Sequence, residues 1–441
     1  MVQSLAALRD RMRHAGAVRL YAKVLAPNDN SKNQVFLGSG FTSLNLLPHG
    51  DVTTDPSPVA GAVRDRAKAV LDFSWLTPEG LRVAPDAKLI LYPRYPEVRF
   101  SGFLKGCHAA PSAIMTSREP GRVLVLGVTA AGKIIGYAAG GGEGVSSEIA
   151  SGAWGSIGVF LDLSVGSPSE PSAKEILLER LRLIHERSWV GSVKLGPDGV
   201  PRLYAARNGG GYTLEALLGI SPNGRAEPDF MGWEVKQYAV SNFRSYRAKS
   251  AVTLMTPEPT GGVYQDEGPE AFIRRFGYPD RNGRENRLNF GGIYDCLRTS
   301  NHLTGLRMVL SGFDNGTGQI TDMNGAIMLL DPTDTVAASW TFKGLLAHWN
   351  RKHAKAAYVP SLYRTPPPEY AFGGQVLTCE ETDFLLFLRA VERGQVYLDP
   401  ALKLEGSEAG AIRIKRRNQF RVSHSILPTL YHRHETVDLT D

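Results

Sequence analysis

Residues 208–236 read NGGGYTLEALLGISPNGRAEPDFMGWEVK, and within this run lie Glu215, Asp229, Glu234 and Lys236. Two or three carboxylates can hold a hard divalent cation such as Mg2+, and a nearby lysine can orient or polarise the attacking water. The spacing therefore points to metal-assisted hydrolysis of a phosphodiester. Residues 212–218, YTLEALL, predict a short helix with Thr213 near its start and Gly219 as a left-handed stop. Residues 230–236 predict a turn leading into a strand. On that strand the period of two puts Glu234 and Lys236 on one face and Val235 in a core, with Asp229 at the mouth of the same face. Glu215 arrives from the helix. An E-x-K pair alone is commonly a solvated charged strand. Here the flanks are apolar and glycine-rich, and burying these charges without a counter-ion or a metal is costly.

The whole run resembles the catalytic signature of the MvaI/BcnI family of type II restriction endonucleases, whose fold is shared with the mismatch-repair nicking enzyme MutH. The matching residues are GGGYTLEALLGI with Glu215, the Pro-Asn-Gly loop, Pro228-Asp229-Phe230 and Glu234-Val235-Lys236. The resemblance implies that Asp229, Glu234 and Glu215 bind magnesium and that Lys236 assists the nucleophilic water.

The chain has 441 residues, enough for two or three domains, and at 42% hydrophobic and 21% charged it is an ordinary globular composition. Lys plus Arg number 50 against 44 Asp plus Glu, a net charge of +6 that suits a polyanionic partner. The cations are clustered. No acid occurs between Thr335 and Pro368, where Lys343, Arg351, Lys352, Lys355 and Arg364 fall, nor between Ala411 and His434, which holds Arg413, Lys415, Arg416, Arg417, Arg421 and Arg433. Cys107, Cys296 and Cys379 are far apart and form no C-x-x-C pair, which argues against a disulfide scaffold or a zinc ribbon. With no apolar signal region and no transmembrane-length apolar run, the expectation is a cytoplasmic protein that does not engage membranes.

Towards the N-terminus, residues 4–14 predict a short amphipathic helix. Strands are expected at residues 17–25, from 34, and at 87–92, 97–104, 122–128, 133–138 and 157–163, the pattern of a β-rich, barrel-like domain. The segments YAKVLAPNDNSKNQVFLGSGF, AKLILYPRYPEVRFSGF and RVLVLGVTAAGK resemble the N-terminal effector domain of EcoRII, a DNA-binding pseudobarrel also used by a class of plant transcription factors. That resemblance implies two basic arms, at residues 28–34 and 94–105, with Asn33, Arg94, Glu97, Arg99 and Lys105 as DNA contacts. Arg can pair with guanine O6 and N7, and Glu can accept from cytosine N4. GVTAAGK at 127–133 matches G-x-x-x-x-G-K, but Ile134 stands where a magnesium-holding Ser or Thr is needed, so a hairpin turn is expected. The glycines at 140–144 read as a flexible loop.

Residues 164–172, SVGSPSEPS, read as a linker, followed by a helix with Leu177, Leu178, Leu181 and Ile184 on one face. Residues 306–310 and 326–330 predict strands. Residues 340–358 predict a helix whose apolar side holds Leu345, Leu346 and Trp349 and whose other face offers Lys343, Lys352 and Lys355 to phosphates. His348 and His353 are five apart, outside zincin spacing, and read as DNA-facing or structural. In the tail, IRIKRRNQFRV reads as strand ends around a basic turn, with Arg416, Arg417, Asn418 and Arg421 suited to phosphate or base-edge contacts.

The expected architecture is multidomain: a β-rich DNA-binding pseudobarrel at 1–165, a linker at 166–172, and an α/β, mixed-sheet PD-(D/E)XK nuclease domain, MutH-like, at 173–441. The expected function is a Mg2+-dependent type II restriction endonuclease of a restriction-modification system. The two resemblances imply double-stranded DNA cut at a CC(A/T)GG-like site, and the protein is expected to act as a monomer able to engage two DNA sites. The alternatives are a MutH-like strand-nicking repair enzyme and a non-cleaving DNA-binding regulator.

Overall fold

The computed structural model describes residues 2–27, 34–54, 66–92, 97–163, 171–206, 208–220, 229–406 and 412–440, without the side chains of 350–352. The chain divides into two compact units, Met1–Ser172 and Ala173–Asp441.

The first unit is β-rich, as its short alternating runs imply. A seven-stranded sheet is ordered Gly155–Ile157, Phe160–Asp162, Ala17–Val24, Val123–Thr129, Ile134–Ala139, Phe73–Thr77 and Gly80–Val83. A five-stranded sheet runs Gln34–Ser39, Glu97–Ser101, Lys88–Tyr92, Ala67–Val70 and Thr53–Thr54. Phe73 of the first sheet meets Phe100 of the second with ring centroids 5.0 Å apart, and Trp75 and Phe103 extend this aromatic contact. The helix Leu5–His14, capped by Ser4, lays Leu5, Leu8 and Met12 on the larger sheet. The G-x-x-x-x-G-K match is the turn between the antiparallel strands Val123–Thr129 and Ile134–Ala139, so it has no helix to receive a phosphate. Two expectations need correction. Gly144 opens a helix, Gly144–Ser151, because Val145 and Ile149 bury one side of it against the same core. The run 157–163 is instead two short strands, Gly155–Ile157 and Phe160–Asp162, folded back on each other.

The second unit is built on a mixed sheet. Its long strand Lys355–Arg364 pairs in parallel with Glu234–Ala239, and antiparallel with Glu369–Phe372 and Gln375–Thr382. Trp189–Gly191 and Tyr431–Asp438 extend the sheet beyond these. One face is covered by the helices Ala173–Glu186 and Gly209–Leu217, through Leu177, Leu181, Ile184 and Leu214 packed on Trp233, Val235, Ala357, Val359 and Phe372. The helix expected over 340–358 is shorter. Residues Val336–Thr341 form a strand, the helix is Phe342–His353 with Thr341 as its cap, and Lys355 already begins the long strand. The reason is burial: from Ala356 to Ser361 every residue is buried, and a segment enclosed on both faces is satisfied by sheet pairing. Leu345, Leu346 and Trp349 are buried as the apolar pattern predicts.

Candidate active site

Sheet register brings the acids and the lysine together. Glu234 and Lys236 share a face of the strand Glu234–Ala239, opposite Ala356 and Tyr358 of the parallel neighbour. The Lys236 ammonium donates to Glu234 Oε1 at 3.0 Å, and both side chains are largely enclosed, at 18% and 5% exposed. Val235, on the other face, enters the core. Asp229 is tied to the same strand, since the Val235 amide donates to its Oδ2 at 3.2 Å. Between Asp229 and Glu234 the chain makes a tight reversal: Phe230 and Trp233 exchange backbone hydrogen bonds of 2.9 and 2.8 Å across Met231 and Gly232, both left-handed. That reversal sets the separation of the two carboxylates.

The preceding helix is Gly209–Leu217, beginning three residues before the expected start. Thr213 is not its cap. Its hydroxyl is buried within the helix, bonded to the Gly209 carbonyl at 2.8 Å and accepting from the Val193 amide at 3.1 Å. The glycines lie inside the helix because the sheet is so close: a Cβ on Gly209 would meet Ser192 Oγ at 2.4 Å, and one on Gly210 would meet Gln237 Oε1 at 2.8 Å. Glu215 follows one turn on, half-buried. Gly219 is left-handed at φ 77°, as expected of a helix stop.

Carboxylate oxygens on Asp229 and Glu234 have the hard-donor chemistry that Mg2+ takes, and a metal with protein carboxylates and water ligands needs no further protein cage. Among the described residues, no three His, Cys, Asp or Glu side chains gather as a metal-holding group, so Glu215 does not join the other two acids in a preformed triad.

On the opposite face of the strand Glu234–Ala239, the face that carries Trp233 and Val235, lies a charged cluster that was invisible to spacing. Lys174 and Lys355 place their ammonium groups 5.9 Å from the Trp233 ring centre, and Glu380 pairs with Lys174, Lys355 and Arg433 at 3.3, 3.9 and 3.7 Å. On the Glu234 face, where Tyr358 lies opposite Lys236, is a buried polar chain. Tyr358 and Tyr431 hydroxyls lie 2.9 Å apart, Tyr431 is 3.0 Å from His353 Nδ1, and His353 Nε2 is 3.0 Å from the Leu254 carbonyl. Burial pushes both phenols well up, so they stay neutral, and Glu234 adds to that shift. His353 is thereby structural, stacked on Trp349 with centroids 4.1 Å apart. Residues far apart in the chain meet here through strand register and the helices packed on the sheet, which no local pattern signals.

The expected DNA contacts divide. Asn33 and Arg94 lie outside the described residues, as does the side chain of Lys352. Glu97 and Arg99 sit on one strand face and pair at 3.0 Å, with Arg99 also over the Tyr92 ring. Lys105 is exposed and 3.5 Å from Asp86. Arg416 and Arg417 are exposed. Two placements differ from expectation. Asn418 is buried at 4% exposed, its side chain against the Tyr264 hydroxyl, because it lies two residues before Phe420, which is itself buried. Arg421 lies on the middle strand of the sheet Val252–Met255, Phe420–Val422 and Val396–Leu398, half-buried, and its guanidinium is held at the strand ends by Asp399 at 2.5 Å and the Ala251 carbonyl at 2.6 Å. Lys355, expected on a helix face, instead starts the strand beside Glu234.

The strand presents an enclosed Glu–Lys pair next to an aspartate held by a backbone amide, and sequence comparison places the chain among restriction endonucleases. Residues 178–431 match the MvaI/BcnI restriction endonuclease family, more than half of the chain, and the chain belongs to that family. It is a type II site-specific deoxyribonuclease. Among solved structures it is similar to one described as the restriction endonuclease MvaI–cognate DNA substrate complex, at 16% identity and TM-score 0.45, over 61% of this chain and 99% of that one. It is also similar to MvaI in the absence of DNA, at 15% identity and TM-score 0.34, over 62% of this chain and 100% of that one. No curated protein shows significant sequence similarity to the chain. No helix among the described residues is long and apolar enough to cross a membrane.

Proposed function

We propose that this endonuclease hydrolyses double-stranded DNA with Mg2+ at a CC(A/T)GG-like site, as the cutting arm of a restriction-modification system. The observation that carries the reading is the Glu234–Lys236 pair on one strand face, with Asp229 anchored to the Val235 amide. Asp229 and Glu234 would hold the ion, with Glu215 supporting it; when bound, such an ion polarises the phosphoryl oxygen and acidifies water. Lys236 orients the attacking water and balances charge that develops on the phosphate. The water oxygen bonds to phosphorus, the P–O3′ bond breaks, and the departing 3′ oxygen takes a proton, leaving a 5′-phosphate.

The N-terminal unit, in this reading, is a pseudobarrel that binds DNA through the arms around Asn33 and residues 94–105, with Arg416 and Arg417 on the cutting unit contacting phosphates. A monomer holds one such centre and cuts the strands in turn. Incubating the protein with Mg2+ and a supercoiled plasmid bearing CC(A/T)GG sites tests the whole reading. Linear fragments with 5′-phosphate ends are expected. Persistent open circles would indicate a nickase, and unchanged supercoils with a gel shift a non-cleaving binder.

A further inference from the structure

Residue 231 breaks the rule that the rest of its turn obeys. A two-residue connection with both central residues left-handed takes Gly, Asn or Asp first, since a Cβ at positive φ crowds the backbone. Gly232 conforms at φ 88°, whereas Met231 sits at φ 46°. Burial does not compensate, because Met231 is 58% exposed. The chain thus holds a long apolar side chain in solvent, in a conformation that disfavours it. The position is equally unusual: Asp229 lies two residues before it and Glu234 three after, so the side chain emerges on the reversal that separates the two acids.

A phosphate contact at this point would use a cation or an amide. A thioether does neither. What a flexible apolar side chain meets beside a phosphodiester is the C–H surface of the sugar and the base edge, and methionine is among the apolar residues that proteins insert against DNA bases. We infer that Met231 is a substrate-contacting residue, packing on the deoxyribose next to the scissile phosphate and setting how deeply that phosphate enters between Asp229, Glu234 and Lys236. The inference rests on the reading of this run as the cutting centre. Backbone strain kept at an exposed turn is understandable if the side chain is used there.

Three variants test it, with high-molecular-weight genomic DNA, which contains nearly every short site, as substrate in Mg2+. Met231→Gly and Met231→Asn relieve the left-handed strain and remove the apolar surface; Met231→Leu keeps both. The Gly and Asn variants are expected to melt no lower than the parent yet to cut at least about tenfold more slowly. The Leu variant is expected to cut within about threefold of the parent, as volume-conserving apolar swaps do. If Gly and Asn variants cut at the parental rate, Met231 touches no substrate, while the cutting centre stands. If they melt well below the parent and lose activity in step, its role is structural and the inference is overturned. A parent that leaves the DNA intact overturns both the centre and this contact.

Discussion

At the scale of single residues, the centre depends on a buried ion pair, and its two members have separable effects. Asp229→Ala removes a carboxylate that accepts from the Val235 amide and is expected to lower cleavage at least about 100-fold, with little change in melting. Lys236→Met differs, because Glu234 is 4% exposed and loses the cation 3.0 Å away. Breaking such a pair from one side costs about 3–5 kcal/mol, measurable by urea unfolding, and Glu234→Gln in the same chain is expected to recover much of it. Equal unfolding midpoints for parent and Lys236→Met would contradict this burial. The thiols make a second residue-scale test. Burial pushes Cys379 and Cys296 up to about 12, and Cys107 is enclosed, so a thiol reagent at neutral pH is expected to label the protein only once denaturant unfolds it.

At the scale of elements, the helix Gly209–Leu217 shows how neighbouring glycines can have opposite worth. Gly210→Ala forces a Cβ to 2.8 Å from Gln237 and 3.0 Å from Tyr370, and is expected to destabilise by about 1–3 kcal/mol. Gly211 has nothing within 4 Å of the same atom, so Gly211→Ala is expected to stabilise by about 0.5–1 kcal/mol through helix propensity. Chemical denaturation of the pair distinguishes packing from propensity. If both variants shift the same way, the helix does not approach the sheet as described.

At the scale of the whole molecule, two compact units meeting at Ser172 and Ala173 predict that a protease cutting at that junction releases two fragments, each with its own cooperative melting transition. The net charge of +6, with acid-free basic runs, predicts electrostatic binding to duplex DNA. Affinity measured by fluorescence anisotropy is expected to fall at least about 100-fold between about 50 and about 200 mM salt. A flat salt dependence would remove the basic faces from the interface.

What was readable from the residues alone is what local chemistry can specify. The period of two places Glu234 and Lys236 together, the apolar spacing of Leu177, Leu181 and Ile184 predicts a packed helix face, and Ile134 excludes a phosphate loop. These depend on neighbours within a few residues, so they are written in the spacing. That 340–358 is strand, helix and strand emerges only from the fold, since Ala356 to Ser361 pair along their whole length with Glu234–Ala239, far upstream in the chain. The fold alone turned Asn418 inward and paired Arg421 with Asp399, because charge and polarity do not reveal which side of a strand faces solvent. The same long-range register lines up Lys355, Glu380 and Arg433 beside Trp233, and the helix Ala173–Glu186 adds Lys174 to them. Residues separated by up to two hundred and more positions meet there by pairing across one sheet, and pairing is a property of the fold.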